Sequence, residues 1–157
     1  MESLRENLQL FTRRFGLLNS SCCESCCGEQ VSLVQSHILF EIRRMGNPAM
    51  VQVADELGID LTTFSRQIRT LEGKKLVIRQ VSPEDRRVNL LRLTAEGERV
   101  LDQIDRYMAG KIEQIFSFMS PFERESVIRS LALLNEAVAK AGSCCTITAD
   151  KEVACCK

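Results

Sequence analysis

The stretch that decides the fold runs from Ala54 to Leu93, ADELGIDLTTFSRQIRTLEGKKLVIRQVSPEDRRVNLLRL. It begins inside a short helical segment that Gly58 ends, and Asp60 then offers a side-chain oxygen to cap a second helix. In that helix, predicted over residues 61–74, apolar residues recur every three or four positions, as expected for one buried face. The residues predicted to be buried are Leu61, Phe64, Ile68 and Leu71.

The opposite face of this second helix is polar and carries no acidic residue before Glu72. Hydroxyl, amide and guanidinium groups are those that hydrogen-bond to base edges and phosphates in DNA. A short helix, a glycine turn and such a polar helix are typical of a helix-turn-helix, whose second helix enters the major groove. The predicted DNA-contacting residues of this helix are Thr62, Thr63, Ser65, Arg66, Gln67 and Arg69.

Two short apolar stretches, residues 76–81 and 88–93, predict a β-hairpin directly after that helix. The connecting residues, SPEDRR, place a proline at a turn position and two arginines at the far side. From residue 66 to residue 92 the chain has eight Arg and Lys against three Asp and Glu, although its overall net charge is zero. A basic hairpin in this place is typical of a winged helix, so the predicted fold class is mainly α with a small β-wing.

The motifs QVADELGID, FSRQIRTLE, KLVIR, PEDRR and LTAEG, in this order, resemble those of the MarR family of winged-helix transcription regulators. The resemblance covers most of the chain, from Leu33 to Leu134, and is most specific where Asp85-x-Arg87 leads into LTxxG. It implies that Arg87 enters the minor groove and that Asp85 supports the wing. By the same resemblance, Arg86 contacts a phosphate.

Helices are also predicted at the N-terminus and in two segments after the wing. Their apolar residues recur at helical spacing and exceed what one small winged-helix region can bury. We therefore predict a homodimer that shares a helical base and binds two half-sites of a pseudo-palindromic operator in double-stranded DNA. The alternative is a monomer with an intramolecular three-helix layer. Within one MarR-like domain, 1–157, we assign 1–20 and 94–141 to the dimerisation region, 31–93 to the winged helix, and 142–157 to a cysteine-containing tail.

Composition argues against several other classes of protein. A chain of 157 residues with 45% hydrophobic residues and three prolines is expected to fold around a core. It has no apolar run of about 18 residues and no apolar signal region, so we expect a cytoplasmic protein with no membrane partner. There is no Gly-rich phosphate loop, and one histidine leaves no Cys/His/Asp set for nucleophilic catalysis, so we predict that it is not an enzyme.

The eight cysteines all occur as adjacent pairs, outside the predicted core, and one Cys-x-x-Cys spacing joins Cys23 to Cys26. Acidic neighbours such as Glu24 and Asp150 oppose thiolate formation unless a bound cation offsets their charge. We therefore predict coordination of a thiophilic ion, with As(III) or Sb(III) favoured over Cd(II), Zn(II), Hg(II) or Cu(I). The predicted metal ligands are Cys22, Cys23, Cys26, Cys27, Cys144, Cys145, Cys155 and Cys156.

Other interpretations of the cysteines stay open. They could form a thiol-oxidation switch, belong to a metal-buffering protein with vestigial DNA binding, or be incidental. His37 is either a polar helix residue or a zinc ligand, because zinc-sensing MarR members place a ligand histidine in a similar stretch. The resemblance further implies an aromatic anion in the dimer base, from which the paired cysteines depart. We predict a ligand-responsive repressor in which ion binding changes the separation of the two DNA-reading heads.

Overall fold

A computed structural model describes residues 3–16 and 31–141. Within these ranges the chain is mostly helical, and the predicted fold class, mainly α with a small β-wing, is confirmed. The elements, in chain order, are α1 (Leu4–Phe15), α2 (Leu33–Met45), α3 (Met50–Glu56), α4 (Leu61–Gly73), β1 (Val77–Val81), β2 (Asn89–Leu93), α5 (Ala95–Phe116) and α6 (Pro121–Ala141).

The ends of the helices are set by short-range contacts that the sequence had indicated. At the start of α4, the Asp60 carboxylate accepts a hydrogen bond from the backbone N–H of Thr63 at 2.9 Å. At the start of α6, the Ser120 N–H donates to the Glu123 carboxylate at 2.8 Å, which completes a capping box. Gly58 has φ +61°, a left-handed conformation that allows the turn between α3 and α4.

The hydrophobic core lies between α2, α3, α4, the hairpin and the first half of α5. Apolar side chains from all of these elements are almost completely buried there, so the winged-helix region has a core of its own. Leu61 is a correction to the sequence prediction, because its side chain is 50% exposed instead of buried. The buried residues are Val31, Ile38, Leu39, Ile42, Val53, Ala54, Phe64, Ile68, Leu71, Leu76, Val77, Leu91, Val100, Leu101 and Ile104.

The two strands form an antiparallel hairpin in which Val77 pairs with Leu93 and Val81 with Asn89. Ala49, just before α3, forms an isolated bridge with Leu90 of β2. This bridge attaches the helix-turn-helix to the inner strand of the wing. The wing is therefore fixed to the body of the protein at its base, while residues 83–87 at its tip are exposed to solvent.

The LTxxG motif joins the wing to α5 by close packing. The Thr94 hydroxyl donates to the Lys75 carbonyl at 2.6 Å and accepts from the Gly97 N–H at 2.9 Å, which caps α5. A Cβ atom built on Gly97 would lie 2.1 Å from the Leu76 carbonyl oxygen. Only glycine therefore lets the first turn of α5 approach the segment between α4 and β1.

The helical base differs from this core. Helices α1 and α6 contain no buried residue within the described chain. Helix α1 contacts α5 through Lys111, whose ammonium donates to the Phe15 carbonyl at 2.6 Å and lies 4.7 Å from the Phe15 ring centroid. Among the described helices, none has the length and apolarity to cross a membrane.

Candidate nucleic-acid interface

The outer face of α4 presents most of the predicted contact residues to solvent. Thr62, Thr63, Arg66 and Arg69 are exposed, and Ser65 is half-buried. The Asp60 carboxylate is held by the Thr63 side chain and backbone, and these hydrogen bonds lower the pKa of Asp60 below its usual value. The N-terminal turn of α4 is therefore capped and ordered at the end where a recognition helix meets base edges.

Leu61 is a candidate contact that the sequence analysis missed. It occupies the first position of α4, one turn before Phe64, which is the first residue of that helix to reach the core. Its spacing fits the apolar stripe, but the core does not extend that far toward the helix N-terminus. An exposed aliphatic side chain there, next to the Thr62 methyl group, can contact the C5-methyl group of thymine.

Gln67 also departs from its predicted position on the outer face. It is half-buried, and its Oε1 accepts a hydrogen bond from Nε2 of Gln35 on α2 at 3.0 Å. No sequence pattern indicates this contact, because helical periodicity cannot tell which neighbouring helix will approach the edge of a polar face. The Oε1 atom of Gln67 is therefore bonded to α2 and is not available for a contact with DNA.

The wing tip is braced by its own backbone and two short side chains. Ser82 is 9% exposed, and its hydroxyl accepts the N–H of Glu84 at 3.3 Å. The Asp85 carboxylate accepts the N–H of Arg87 at 2.9 Å, which closes a tight turn over two residues. The side chains of Arg86 and Arg87 are exposed at the far side of this turn. The brace is consistent with the supporting role that the family resemblance implies for Asp85.

Arg79 on β1 connects the wing to the recognition helix. Its guanidinium donates two hydrogen bonds to the Glu72 carboxylate near the end of α4, at 3.0 and 2.5 Å. These hydrogen bonds raise the pKa of the Arg79 guanidinium. Arg79 was counted in the basic surface from sequence, but the structure shows that it fixes the wing relative to α4.

The arginines of the described chain differ in whether they form salt bridges. Arg43 is paired with Asp102 and Asp105 across α2 and α5, and Arg44 is paired with Glu41 and Glu56. On α4 and the wing, by contrast, five exposed arginines form no salt bridge with any described carboxylate. Unneutralised guanidinium groups clustered on one surface are expected to attract phosphates. They are Arg66, Arg69, Arg86, Arg87 and Arg92.

Comparison with known proteins shows that residues 31–88 match the model of the MarR family. The matched residues run from just before α2 to the wing, so the winged-helix region is of the MarR type. It is 28% identical over 137 residues to YxaD of Bacillus subtilis (strain 168), an uncharacterized HTH-type transcriptional regulator, covering 87% of this chain and 94% of YxaD. It is also 31% identical over 88 residues to the HTH-type transcriptional regulator MhqR of the same organism, covering 56% of this chain and 61% of MhqR.

The fold of the chain is also that of a protein whose structure was solved in complex with DNA. The structure of Streptococcus pneumoniae FabT in complex with DNA superposes with a TM-score of 0.78 at 23% identity, covering 88% of this chain and 97% of FabT. The chain therefore has the winged-helix fold of that protein, and its matches to the MarR model and to HTH-type regulators identify it as a DNA-binding transcriptional regulator. The relatives are named as regulators and not as enzymes, which supports the prediction that this chain is not an enzyme.

The predicted metal ligands are not among the residues that the structure describes. All eight cysteines fall within residues 17–30 and 142–157, outside the described residues. His37 is exposed on α2. Across residues 3–16 and 31–141, no three His, Cys, Asp or Glu side chains are grouped so that they could hold a metal ion. A zinc site built around His37 from described residues alone is therefore not supported, and a site that combines His37 with the cysteines stays a prediction.

Proposed function

We propose that this chain is a homodimeric repressor that binds a pseudo-palindromic operator in double-stranded DNA and responds to a thiophilic ion held by its paired cysteines. The observation that carries the DNA-binding mode is the division of the arginines. Arg43, Arg44 and Arg79 are paired with carboxylates, whereas Arg66, Arg69, Arg86 and Arg87 are exposed and form no described salt bridge. These exposed guanidinium groups bind phosphates of the DNA in the proposed mode.

In this mode the first two turns of α4 lie in the major groove. Thr62, Thr63, Ser65 and Arg66 face the base edges, with Arg69 toward the phosphate backbone. The wing lies against the adjacent minor groove, where Arg87 inserts and Arg86 contacts a phosphate. The two hydrogen bonds from Arg79 to Glu72 support this arrangement, because they hold both reading elements in one fixed relative orientation.

The homodimer is supported by the apolar side chains that the helical base leaves exposed. Helix α6 has no residue buried by the rest of its own described chain, although it is rich in apolar side chains. An apolar surface of this extent is expected to bind another protein surface. A second copy also explains the function, because two recognition helices related by a two-fold axis read half-sites about one DNA turn apart. The exposed apolar residues of α6 include Phe122, Ile128, Leu131, Leu134 and Val138.

The DNA-binding mode is tested by selecting sequences from a random duplex library with the full-length protein. We expect the enriched sequences to contain two inverted half-sites whose centres are about 10 base pairs apart, or a multiple of one helical turn. The protein–DNA complex should contain two protein chains per duplex by native mass spectrometry. Enrichment of no sequence, or of a single half-site bound by one chain, would contradict the proposal.

The proposed ion response is supported by the placement of the cysteines along the chain. The first four lie in residues 17–30, which join α1 of the base to the winged helix. Both flanks of this segment are attached: Phe15 is hydrogen-bonded to Lys111 of α5, and Val31 is fully buried in the winged-helix core. An ion that draws cysteines of this segment together would act on the connection between base and reading head.

The ion response is tested by titrating the reduced protein with As(III), Sb(III), Cd(II), Zn(II), Hg(II) and Cu(I) during gel-shift assays on the selected DNA. We expect As(III) or Sb(III) to release the DNA at concentrations close to that of the protein, because thiolate metal sites bind with about 10–16 kcal/mol of free energy. Replacing Cys22, Cys23, Cys26 and Cys27 with serine should leave DNA binding intact and abolish the release. A variant that is still released would place the site in the tail.

The same assay separates the alternatives. Release by peroxide or diamide without any ion would favour a thiol-oxidation switch. Ion binding at full stoichiometry with unchanged DNA affinity would favour a buffering role for the cysteines. Release by a phenolic compound and by no ion would indicate that the ligand is an aromatic anion, as the family resemblance implies.

A further inference from the structure

We propose that Gln67 positions the recognition helix instead of contacting bases, and that it does so through Gln35 of α2. The inference rests on the DNA-binding mode proposed above. Gln35 is polar but only 6% exposed, and both ends of its carboxamide are engaged. Its Nε2 donates to Oε1 of Gln67 at 3.0 Å, and its Oε1 accepts from the Lys74 ammonium at 3.1 Å.

These contacts hold α4 at two places. Gln67 and Lys74 are seven residues apart, which is about two helical turns, so they lie on the same side of the helix. The apolar contacts that α4 makes with the core are non-directional and constrain its rotation weakly. Hydrogen bonds constrain direction as well as distance. Gln35 therefore fixes the rotation of α4 about its axis, and with it the direction in which Thr63 and Arg66 face.

Gln35 is itself held by the first turn of α2. Its Oε1 also accepts the Ser32 N–H at 3.3 Å, and its own N–H donates to the Ser32 hydroxyl at 3.2 Å, which forms a capping box. One buried carboxamide thus joins the start of α2 to two points on the recognition helix. Binding sites must be held to about 0.5 Å for specific recognition, so this connection is a source of DNA sequence specificity.

Carboxamide chemistry distinguishes a positioning role from base contact. Glu at position 67 still accepts the hydrogen bond from Gln35. Glu at position 35 still accepts from Lys74 and Ser32, and Gln67 can rotate its carboxamide to donate to it. With Glu at both positions no donor remains between them, and the two carboxylates repel each other. A base-contacting Gln67 would need its amide donor together with its oxygen to recognise adenine, so glutamate would not replace it.

The test uses the full-length protein and a DNA sequence selected with the wild type. For each variant, the measured quantity is the ratio of affinities for the selected duplex and for a random duplex at one salt concentration. This ratio cancels the uniform loss that an added negative charge causes near phosphates. We expect Gln67→Glu and Gln35→Glu to retain the ratio within about threefold, and Gln67→Leu and the double glutamate variant to lower it about tenfold or more.

Two outcomes would overturn the inference. One is a loss of specificity in Gln67→Glu as large as that in Gln67→Leu, which would indicate direct base contact. The other is a double variant whose loss equals the product of the two single losses, because contacting residues should be strongly non-additive. Thermal unfolding of each variant checks the fold, and Gln67→Glu decides the question even if the double variant is unstable. If the wild type enriches no sequence, the proposed function fails instead.

Discussion

The buried apolar residues of the described chain all lie between Val31 and Ile104, whereas α1 and α6 contribute none. The winged-helix region thus has a closed core that its own residues complete. The helical base instead leaves apolar side chains in solvent along both terminal helices. The difference indicates that one region folds on its own contacts, and it supports the proposal that a second copy of the chain covers the other.

Electrostatics show the reverse pattern. Arg79 of the winged-helix region is paired with Glu72, whereas the exposed arginines of α4 and the wing form no salt bridge with a described carboxylate. The base therefore exposes apolar side chains, and the reading head exposes arginines that form no described salt bridge. Changes to one surface should leave the other largely unaffected, and the predictions below test this separation.

The largest effect is expected from charges placed on the apolar face of α6. Ile128 is 57% exposed and Leu131 is 49% exposed within one chain, so Ile128→Asp combined with Leu131→Asp should have little effect on the winged-helix core. If the face is the dimer interface, dimerisation should weaken by about 4 kcal/mol, close to a thousandfold, because two central contacts are lost. Sedimentation equilibrium measures the dissociation constant. Arg129→Asp, on the opposite side of the helix, is the matched control, and an equal weakening there would argue against a specific apolar interface.

The next effect concerns the closed core. Gly97→Ala should destabilise the fold by about 3 kcal/mol, because a Cβ would lie 2.1 Å from the Leu76 carbonyl oxygen and force α5 away from the wing. Urea unfolding measures the loss. Gly73→Ala is the control in the same region, since a Cβ there meets nothing within 4 Å. Similar losses in the two variants would show that close packing at LTxxG is not the cause.

Local signals in the sequence were sufficient for the helices and the wing. Asp60 caps α4 as predicted, because a cap depends only on residues within one turn, and Ser120 caps α6 in the same way. The wing followed from a proline turn between two apolar stretches. The LTxxG motif was recognised only by resemblance, because the role of Gly97 comes from a carbonyl about twenty residues earlier in the chain, which no local pattern reveals.

The candidate site was less predictable where tertiary packing decides exposure. Leu61 continues the apolar periodicity of α4, but the core ends before it, so the side chain is exposed. Gln67 belongs to the polar face by spacing, but α2 approaches that edge and engages it. Arg79 was counted as free positive charge, although the fold places it against Glu72. Periodicity gives the direction of a side chain and not what it meets there.

A moderate effect is expected at the wing. Arg87→Ala should weaken binding to the selected DNA by about 2 kcal/mol, and the salt dependence of binding should fall by about one unit of slope. Arg44→Ala is the matched control, because Arg44 is already paired with Glu41 and Glu56 in the protein body. Fluorescence anisotropy over a salt series measures both quantities. If the two variants lose equal affinity, then pairing does not separate structural arginines from DNA-binding ones.

The smallest effect tests whether the wing tip is braced or merely charged. Asp85→Ala and Asp85→Asn both remove a negative charge, which by itself should slightly strengthen binding to phosphates. Only Asn retains the oxygen that accepts the Arg87 N–H, which the carboxylate holds at 2.9 Å. The Ala variant should therefore bind the selected DNA about 1 kcal/mol more weakly than the Asn variant. Because their charges are equal, any difference in affinity between them measures the brace alone. Equal affinities would mean that the turn holds Arg87 without Asp85, and that the acidic residue next to the DNA has another role.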